Sequence, residues 1–252
     1  MNSNSRKAIF DKYEIQNHNF ENQPFIINAE QIKQATKHFT KTNEREVRIL
    51  CKQDSREDRP DVFVENGLFL LPTRNGEYVI VQGEGYIDIP EIKDVVKIYK
   101  SKLKFNLDTS LVGNSEMQHL DFAYAASLIR TFLEDDSLVL TIRGRKYTPK
   151  FVFNIGNQQI VVESVQTEVD AGYEGRNQVV LIEAKNSATK NTIIRQLFYP
   201  YRQWQQYTEK QVKTLFFEKQ ANYYSLWQFE FTNPNDYNSI KLTKSQKFEI
   251  VK

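Results

Sequence analysis

Four consecutive apolar residues, Val179-Val180-Leu181-Ile182, run directly into Glu183-Ala184-Lys185. A strand turns alternate residues to opposite faces, so a run that is apolar at every position has to be covered on both. The chain must therefore build a sheet with material on each side and place this strand inside it. The same alternation sends Glu183 and Lys185 to one side with Val179 and Leu181. It sends Ala184 to the other, leaving its carbonyl near the Glu183 carboxylate. Charges that end a buried strand differ from the ordinary solvated Glu-x-Lys pair, which is worth under about 1 kcal/mol.

The flanking pattern predicts a mixed α/β fold over residues 113–252. Asn114 or Ser115 caps a helix in which Met117, Leu120, Tyr124, Leu128 and Phe132 recur at spacings of three and four, closing in Glu134-Asp135-Asp136. Strands are predicted at Leu138–Ile142, Phe151–Ile155 and Gln159–Val169. Ala171–Asn177, with its two glycines, reads as a turn into a strand over Gln178–Ala184. A helix over Thr192–Tyr207 carries Ile193, Leu197, Tyr201 and Trp204 on one face and is kinked by Pro200, which lacks a backbone donor. Val212–Phe217 and Tyr223–Phe231 are further strands. This order predicts a mixed central β-sheet flanked by helices.

Residues 1–112 form a separate N-terminal α+β region in this reading. Residues 1–20 are polar and expected to be loosely held. A short helix follows from Asn28 to about His38, then a charge-dense segment, Glu44 to Pro60, anchored by Val47, Ile49 and Leu50. Leu68–Leu71 and Tyr78–Val81 flank Asn75-Gly76, a strong hairpin signal because both residues tolerate positive φ. A short strand at Tyr86–Ile89 is ended by Pro90.

Composition narrows the chemistry. The 34 Lys and Arg against 32 Asp and Glu leave a net charge of +2, which permits a nucleic-acid partner without indicating one. The single cysteine, Cys51, excludes an internal disulfide, and His18, His38 and His119 are too scattered for structural zinc. The start lacks the apolar stretch of a signal peptide, and no apolar run nears the roughly 20 residues that span a bilayer. The expected location is cytoplasmic, with no membrane partner.

Asp170 is expected at the end of the strand before the turn, within reach of Glu183 if the two strands pair. Adjacent carboxylates repel unless a cation lies between them, and oxygen-only ligands suit a hard ion such as Mg²⁺. An ion held there polarises a phosphoryl oxygen and lowers the pKa of water, while Lys185 holds the phosphate. The set implies metal-dependent cleavage of a phosphodiester. Glu163, Glu168 and Glu174 compete for the place of Asp170. Glu168 shares its strand phase and Glu163 has the opposite one.

Three segments carry a family resemblance: Glu168-Val-Asp170-Ala-Gly-Tyr-Glu-Gly, Val-Leu-Ile-Glu183-Ala184-Lys185-Asn, and Arg195-Gln196-Leu-Phe-Tyr-Pro-Tyr-Arg-Gln-Trp. Together they resemble a PD-(D/E)XK nuclease, and more narrowly a group of type II restriction endonucleases, across residues 114–210. Val169 stands where the family often has proline. The resemblance implies a restriction-endonuclease-like core. Asp170, Glu183 and the main-chain oxygen of Ala184 would hold Mg²⁺, Lys185 would assist water and phosphate, and Glu116 and Gln196 would complete the site. It further implies a double-stranded DNA substrate read by the N-terminal region and a companion DNA methyltransferase. Cutting both strands of a symmetric site favours a homodimer. The alternatives are a repair, recombination or structure-specific nuclease of the same fold, and a catalytically silent DNA-binding protein.

Other motifs have plainer readings. Gly83-Glu-Gly85 lacks the third glycine and following helix of a phosphate loop and reads as hairpin geometry. Arg143-Gly-Arg145-Lys146, at a strand end, could clamp phosphates or be a solvated turn. His119, one turn after Glu116, reads as an ordinary helix residue. Gln203 and Tyr207 have the spacing of a motif in some exonucleases of the superfamily, yet sit in a polar helix end where solvation explains them. The alternating aromatics of Tyr223–Phe231 read as core.

Overall fold

The computed structural model describes residues 3–251. The chain opens with α1 (Ser3–Lys12), β1 (Phe25–Asn28) and α2 (Ala29–Thr36). Short helices α3 (Thr42–Arg45), α4 (Val47–Leu50) and α5 (Asp61–Glu65) precede the hairpin of β2 (Leu68–Arg74) and β3 (Glu77–Gln82). Asn28 and Gln31 start α2 with a reciprocal capping box, each side chain accepting from the other's backbone N–H at 2.9 Å. At the hairpin tip Arg74 faces Glu77 across Asn75-Gly76, and of those two only Gly76 takes a positive φ, 76°.

The antiparallel sheet β1-β3-β2 is covered on both faces. Leu68, Leu70 and Ile80 turn to the helices and pack with Phe10, Ile15 and Ile32. Phe69, Leu71, Val79 and Val81 turn to the other side, into the core of the remaining chain. The described part of the segment expected to be loose, from Ser3 onward, is therefore held in place, and residues 1–2 lie outside the described residues. Phe10 and Ile15 are buried, and the Arg6 guanidinium donates to the carbonyls of Ile49, Leu50, Lys52 and Asp58. Those carbonyls end α4 and the loop after it, and one guanidinium supplies the donors they lack. Val47 and Leu50 are buried as expected, but Ile49 is exposed.

Downstream lie β4 (Tyr86–Asp88), β5 (Lys97–Lys100), α6 (Glu116–Ala125), α7 (Leu128–Leu133), β6 (Val139–Tyr147), β7 (Phe151–Ile155) and β8 (Gln158–Val162). They are followed by β9 (Gln166–Glu174), β10 (Gln178–Lys185), β11 (Asn191–Ile193), α8 (Arg195–Trp204), β12 (Gln211–Gln220), β13 (Tyr223–Phe231) and β14 (Ile240–Val251). Seven strands form one mixed sheet in the order β5-β14-β13-β12-β10-β9-β6. β10 and β12 are parallel, joined by a crossover through α8, and β14 and β5 are also parallel. Val180, Ile182 and Ala184 of β10 pack with Leu120, Ile129 and Phe132 of α6 and α7. Val179 and Leu181 pack on the other face with Leu197 and Phe198 of α8. The all-apolar run is thus an interior strand covered on both sides. No helix among the described residues is long and apolar enough to cross a membrane.

Several boundaries differ from the sequence reading. The helix expected to continue through Phe132 is two, because Ser127 breaks it in the left-handed region with φ 66°. Ser115 caps α6 by accepting from the Gln118 N–H, and Met117 faces solvent. Gln159–Val169 is not one strand: Ser164, with φ 59°, separates β8 from β9. β9 continues through Ala171–Glu174, so the turn is shorter than expected. Thr192 and Ile193 belong to β11, and α8 begins only at Arg195. The chain also crosses the expected boundary at residue 112. β4 pairs with β11, and β5 pairs with β14.

One close approach makes a test of the packing between the two sheets. A Cβ built on Gly85 would lie 2.3 Å from Cδ2 of Phe69, whose ring is fully buried. The backbone there is engaged too, since the Gly85 carbonyl accepts from the Ile194 N–H at 2.9 Å. Gly85→Ala should lower stability by about 1–3 kcal/mol through overpacking, read as a drop in the denaturant midpoint. An unchanged midpoint would show that the Phe69 ring has room to move.

Candidate active site

The β9–β10 hairpin builds the site. Ladder pairing is recorded from Val179↔Glu174 to Ile182↔Ala171, which leaves Asp170 beside Glu183 at its open end. There the Asp170 carboxylate accepts the Ala184 N–H at 2.7 Å, a place a neighbouring strand's carbonyl would otherwise take. A bulge in β9 makes this possible. β6 advances two residues, Ile142 to Gly144, while β9 advances three, Gly172 to Val169. The extra residue changes the phase of the strand: Val169 packs on the α8 side, whereas Ala171 and Tyr173 pack on the α6 side.

The rival glutamates each have a basic neighbour. Glu168 and Asp170 do not share a face, because the bulge intervenes. Glu168 pairs with Arg145 at 3.1 Å, Glu163 with Arg74 at 3.6 Å, and Glu174 with Lys210 at 2.5 Å. Glu163 and Glu174 are thereby drawn away from the trio, Glu174 at the far end of β9, whereas Glu168 also lines the small cavity beside Glu183 and Gln196 and its charge acts on Asp170.

At the end of β10 the Lys185 ammonium lies 2.5 Å from Glu183 Oε1 and 3.1 Å from the Ala184 carbonyl oxygen. Glu183 is the more buried partner, with 11% of its side chain exposed. Burial pushes its carboxyl up to about 7 against the pull of Lys185, and the charge of Asp170 adds to the rise. Asp170 is also raised, by burial first, with the Ala184 N–H and Lys185 opposing and Glu116 and Glu168 assisting. For Lys185, burial acts to lower the pKa, but the charge and hydrogen bond of Glu183 outweigh it and the ammonium is held.

The structure brings four of the five expected side chains into one electrostatic unit. Glu116, the first residue of α6, acts through space on both Asp170 and Lys185. The α6 start is fastened to this end of β10 by Asn186, whose amide donates to the Asn114 carbonyl at 2.8 Å. Gln196 completes the set. It lines a cavity of about 10 Å³ together with Glu183, Leu181 and Pro200, and its Oε1 accepts the Thr192 hydroxyl at 2.6 Å. Three carboxylates facing one ammonium favour the approach of further positive charge.

Two residues of the site had no sequence signal. Asp54, in the charge-dense N-terminal segment, raises Glu183 through space and pairs with Arg195 at 3.9 Å. Its carbonyl accepts the Ile193 N–H at 2.9 Å. Asn191 braces the same loop by donating to both carboxylate oxygens of Glu57, at 3.1 and 3.0 Å, and accepting the Arg56 N–H at 2.7 Å. Nothing local marks these contacts, which join residues more than 130 apart in the chain.

Of the remaining motifs, Arg143 pairs with Asp121 and Arg145 with Glu168, both within β6 and its neighbours. His119 hydrogen-bonds Asn114 at 2.8 Å. Gln203 is a correction: it is buried, not solvated, accepting the Thr167 hydroxyl at 2.7 Å, while Tyr207 is exposed. Trp227, Phe229 and Phe231 are core, whereas Tyr223 is exposed.

Residues 81–249 match the model of a family described as a domain of unknown function, DUF6997. The chain belongs to the DUF6997 family. Residues 4–80 match a second family model, also a domain of unknown function, DUF6996. No curated protein and no solved structure matches the chain. The two family matches meet within β3, so the DUF6997 segment contains the seven-stranded sheet, short of the last two residues of β14, and the trio at its end, and Asp54 comes to it from the DUF6996 segment.

Proposed function

We propose that this DUF6997 protein is a Mg²⁺-dependent DNA endonuclease of the PD-(D/E)XK type, cutting both strands at a short sequence as type II restriction enzymes do. The observation that carries this reading is the seat of the Lys185 ammonium between Glu183 Oε1 and the Ala184 carbonyl. A cation already rests on two of the three oxygen groups that the resemblance assigns to the metal, and the third, the Asp170 carboxylate, accepts the N–H of the same residue, Ala184. Among the described residues no three His, Cys, Asp or Glu side chains cluster as a ligand set. The site offers instead two carboxylates and one main-chain oxygen, hard donors that fit Mg²⁺ and leave positions for water and phosphate. When bound there, the ion would polarise a phosphoryl oxygen and acidify water.

The protein's own groups then divide the work. Asp170 and Glu183 bind, and the Asp170–Ala184 hydrogen bond orients the first of them. Lys185, released from Glu183, donates to the scissile phosphate or to the attacking water and stabilises the charge that grows in the transition state. The Gln196 amide nitrogen, without a hydrogen bond among the described residues, is free to orient the phosphate or water. The mixed sheet with its β10–α8–β12 crossover supports a restriction-endonuclease-like core. A homodimer on symmetric DNA and a protecting methyltransferase belong to the same reading.

Incubation with long double-stranded DNA and Mg²⁺ should give discrete fragments whose sequenced ends share a short motif, and a chelator should suppress them. A smear would point to a nuclease without sequence reading. Intact DNA under all divalent ions would remove the reading.

A further inference from the structure

The sheet ends carry a feature that the catalytic trio does not use. β12 is parallel to β10, β14 runs the same way with β13 between them, and β5 is parallel to β14. The last residues of these four strands, Lys185, Gln220, Val251 and Lys100, therefore lie at one end of the sheet. Four strand spacings of roughly 4.8 Å set β5 about 19 Å to the side of β10. Along that distance the chain supplies Lys219 at the end of β12, Lys97 and Lys100 on the edge strand, and Lys102 and Lys104 just after it.

Lys97, Lys100, Lys102 and Lys104 are all exposed. Only Lys102 among them has an ion pair within 4 Å among the described residues, with Asp136 at 3.4 Å, and both of those side chains are mostly in solvent. A groove of about 650 Å³ joins this basic edge to the α6 side of the site. It is lined by Lys104, Phe105, Asn106, His119, Lys219 and Asn222, and by two acids, Asp108 and Glu249. His119 lies one turn beyond Glu116, and Lys219 follows Glu218, the register partner of Lys185. Phe105, 66% exposed, stands among the lysines, where an aromatic ring can meet a base or sugar.

We propose that the β5 edge and the groove beside it form a phosphate track that holds the DNA duplex leading away from the site, with Lys97, Lys100, Lys102, Lys104 and Lys219 on its backbone. The inference rests on the nuclease reading for its choice of partner. A duplex carries one phosphate per strand about every 3.4 Å of axis, so a track of about 19 Å spans five to six base pairs. Such contacts position the duplex and carry no sequence information. Sequence reading falls to other parts of the chain.

The test is the salt dependence of binding to a labelled mixed-sequence DNA duplex in chelator, where no cutting occurs. K100Q/K102Q/K104Q is compared with K33Q/K37Q/K41Q, a control on and just after α2. Each lost phosphate contact lowers the slope of log affinity against log salt by about 0.9, so the edge variant should lose about 2 to 3 and the control nothing. Equal slopes for edge variant and wild type, equal losses in both triples, or no duplex binding by the wild type would overturn the track. A lower slope in the edge variant from a protein that never cuts DNA with Mg²⁺ would uphold the track and remove the nuclease reading.

Discussion

On the proposed endonuclease reading, Lys185→Ala should lower DNA cleavage at least about 10³-fold and leave duplex affinity within about threefold. The loss follows from what the ammonium does in the transition state. Groups that meet charge only as it develops contribute about 10² to 10³ each, and proton transfer by a positioned side chain contributes about 10² to 10⁴. Lys185 is placed to supply either. Affinity is spared because one ammonium among many phosphate contacts adds little to binding. Removing Lys185 also strips Glu183 of its partner, but the carboxyl can take a proton instead of remaining charged and buried. Lys185→Arg keeps the charge and should not restore the rate, since a planar fork does not fit the 2.5 and 3.1 Å contacts of a compact ammonium. Single-turnover cleavage with saturating enzyme measures the effect, and a circular dichroism melt checks folding. Cutting at the wild-type rate by a folded Lys185→Ala protein would end the assignment of Lys185.

Cleavage at subsaturating Mg²⁺ should fall about tenfold for each pH unit below about 7. In the proposed site a proton would compete with the divalent ion for the Glu183 carboxylate, whose pKa burial has pushed up to about 7. Raising Mg²⁺ should move the fall to lower pH, which separates proton competition from acid unfolding. The same group contributes to stability with a definite sign. Its folded pKa of about 7 lies above the ordinary 4.5, so the folded chain binds the proton more tightly than the unfolded chain. That contribution is complete below about pH 4.5 and is lost as pH rises to about 7, an order of about 3 kcal/mol. Asp170 shifts in the same direction and adds to the trend. Glu183→Gln should therefore flatten the stability profile between pH 5 and pH 8 relative to wild type, as measured by denaturant midpoints. A cleavage rate level from pH 8 to pH 5, with parallel stability profiles for the two proteins, would show that Glu183 is not the titrating ligand.

The parts of the site that were legible in the sequence are those decided within a few residues. Alternation alone put Glu183 and Lys185 on one face, and the apolar run behind them fixed β10 as an interior strand. The Asn75-Gly76 turn, the Ser115 cap and the apolar face of α8 are of the same kind. Strand phase failed at Asp170, because it assumes an unbroken ladder. The β9 bulge depends on how β6 and β9 pair, and those strands are set by contacts far along the chain. Gln203 was misread for a similar reason. Its polarity pointed outward, but Thr167 on a neighbouring strand supplies a buried partner.

The N-terminal region shows the division most clearly. Its polar first residues and dense charges gave no sign of a docked helix or of a role at the site. Arg6 finds four carbonyls only once α1 docks beside α4 and the loop after it, and Asp54 and Glu57 meet Arg195 and Asn191 only once the N-terminal segment has packed on the rest of the chain. By itself the sequence determined the mixed α/β class, the central strand and the paired Glu183 and Lys185, because a side chain's face follows from the local period of the backbone. Only the tertiary structure decided that Asp170 reaches the Ala184 amide and that Glu163 and Glu174 lie against other cations. It also decided that the N-terminal segment braces the helix carrying Gln196, since those contacts join residues whose separation no period encodes.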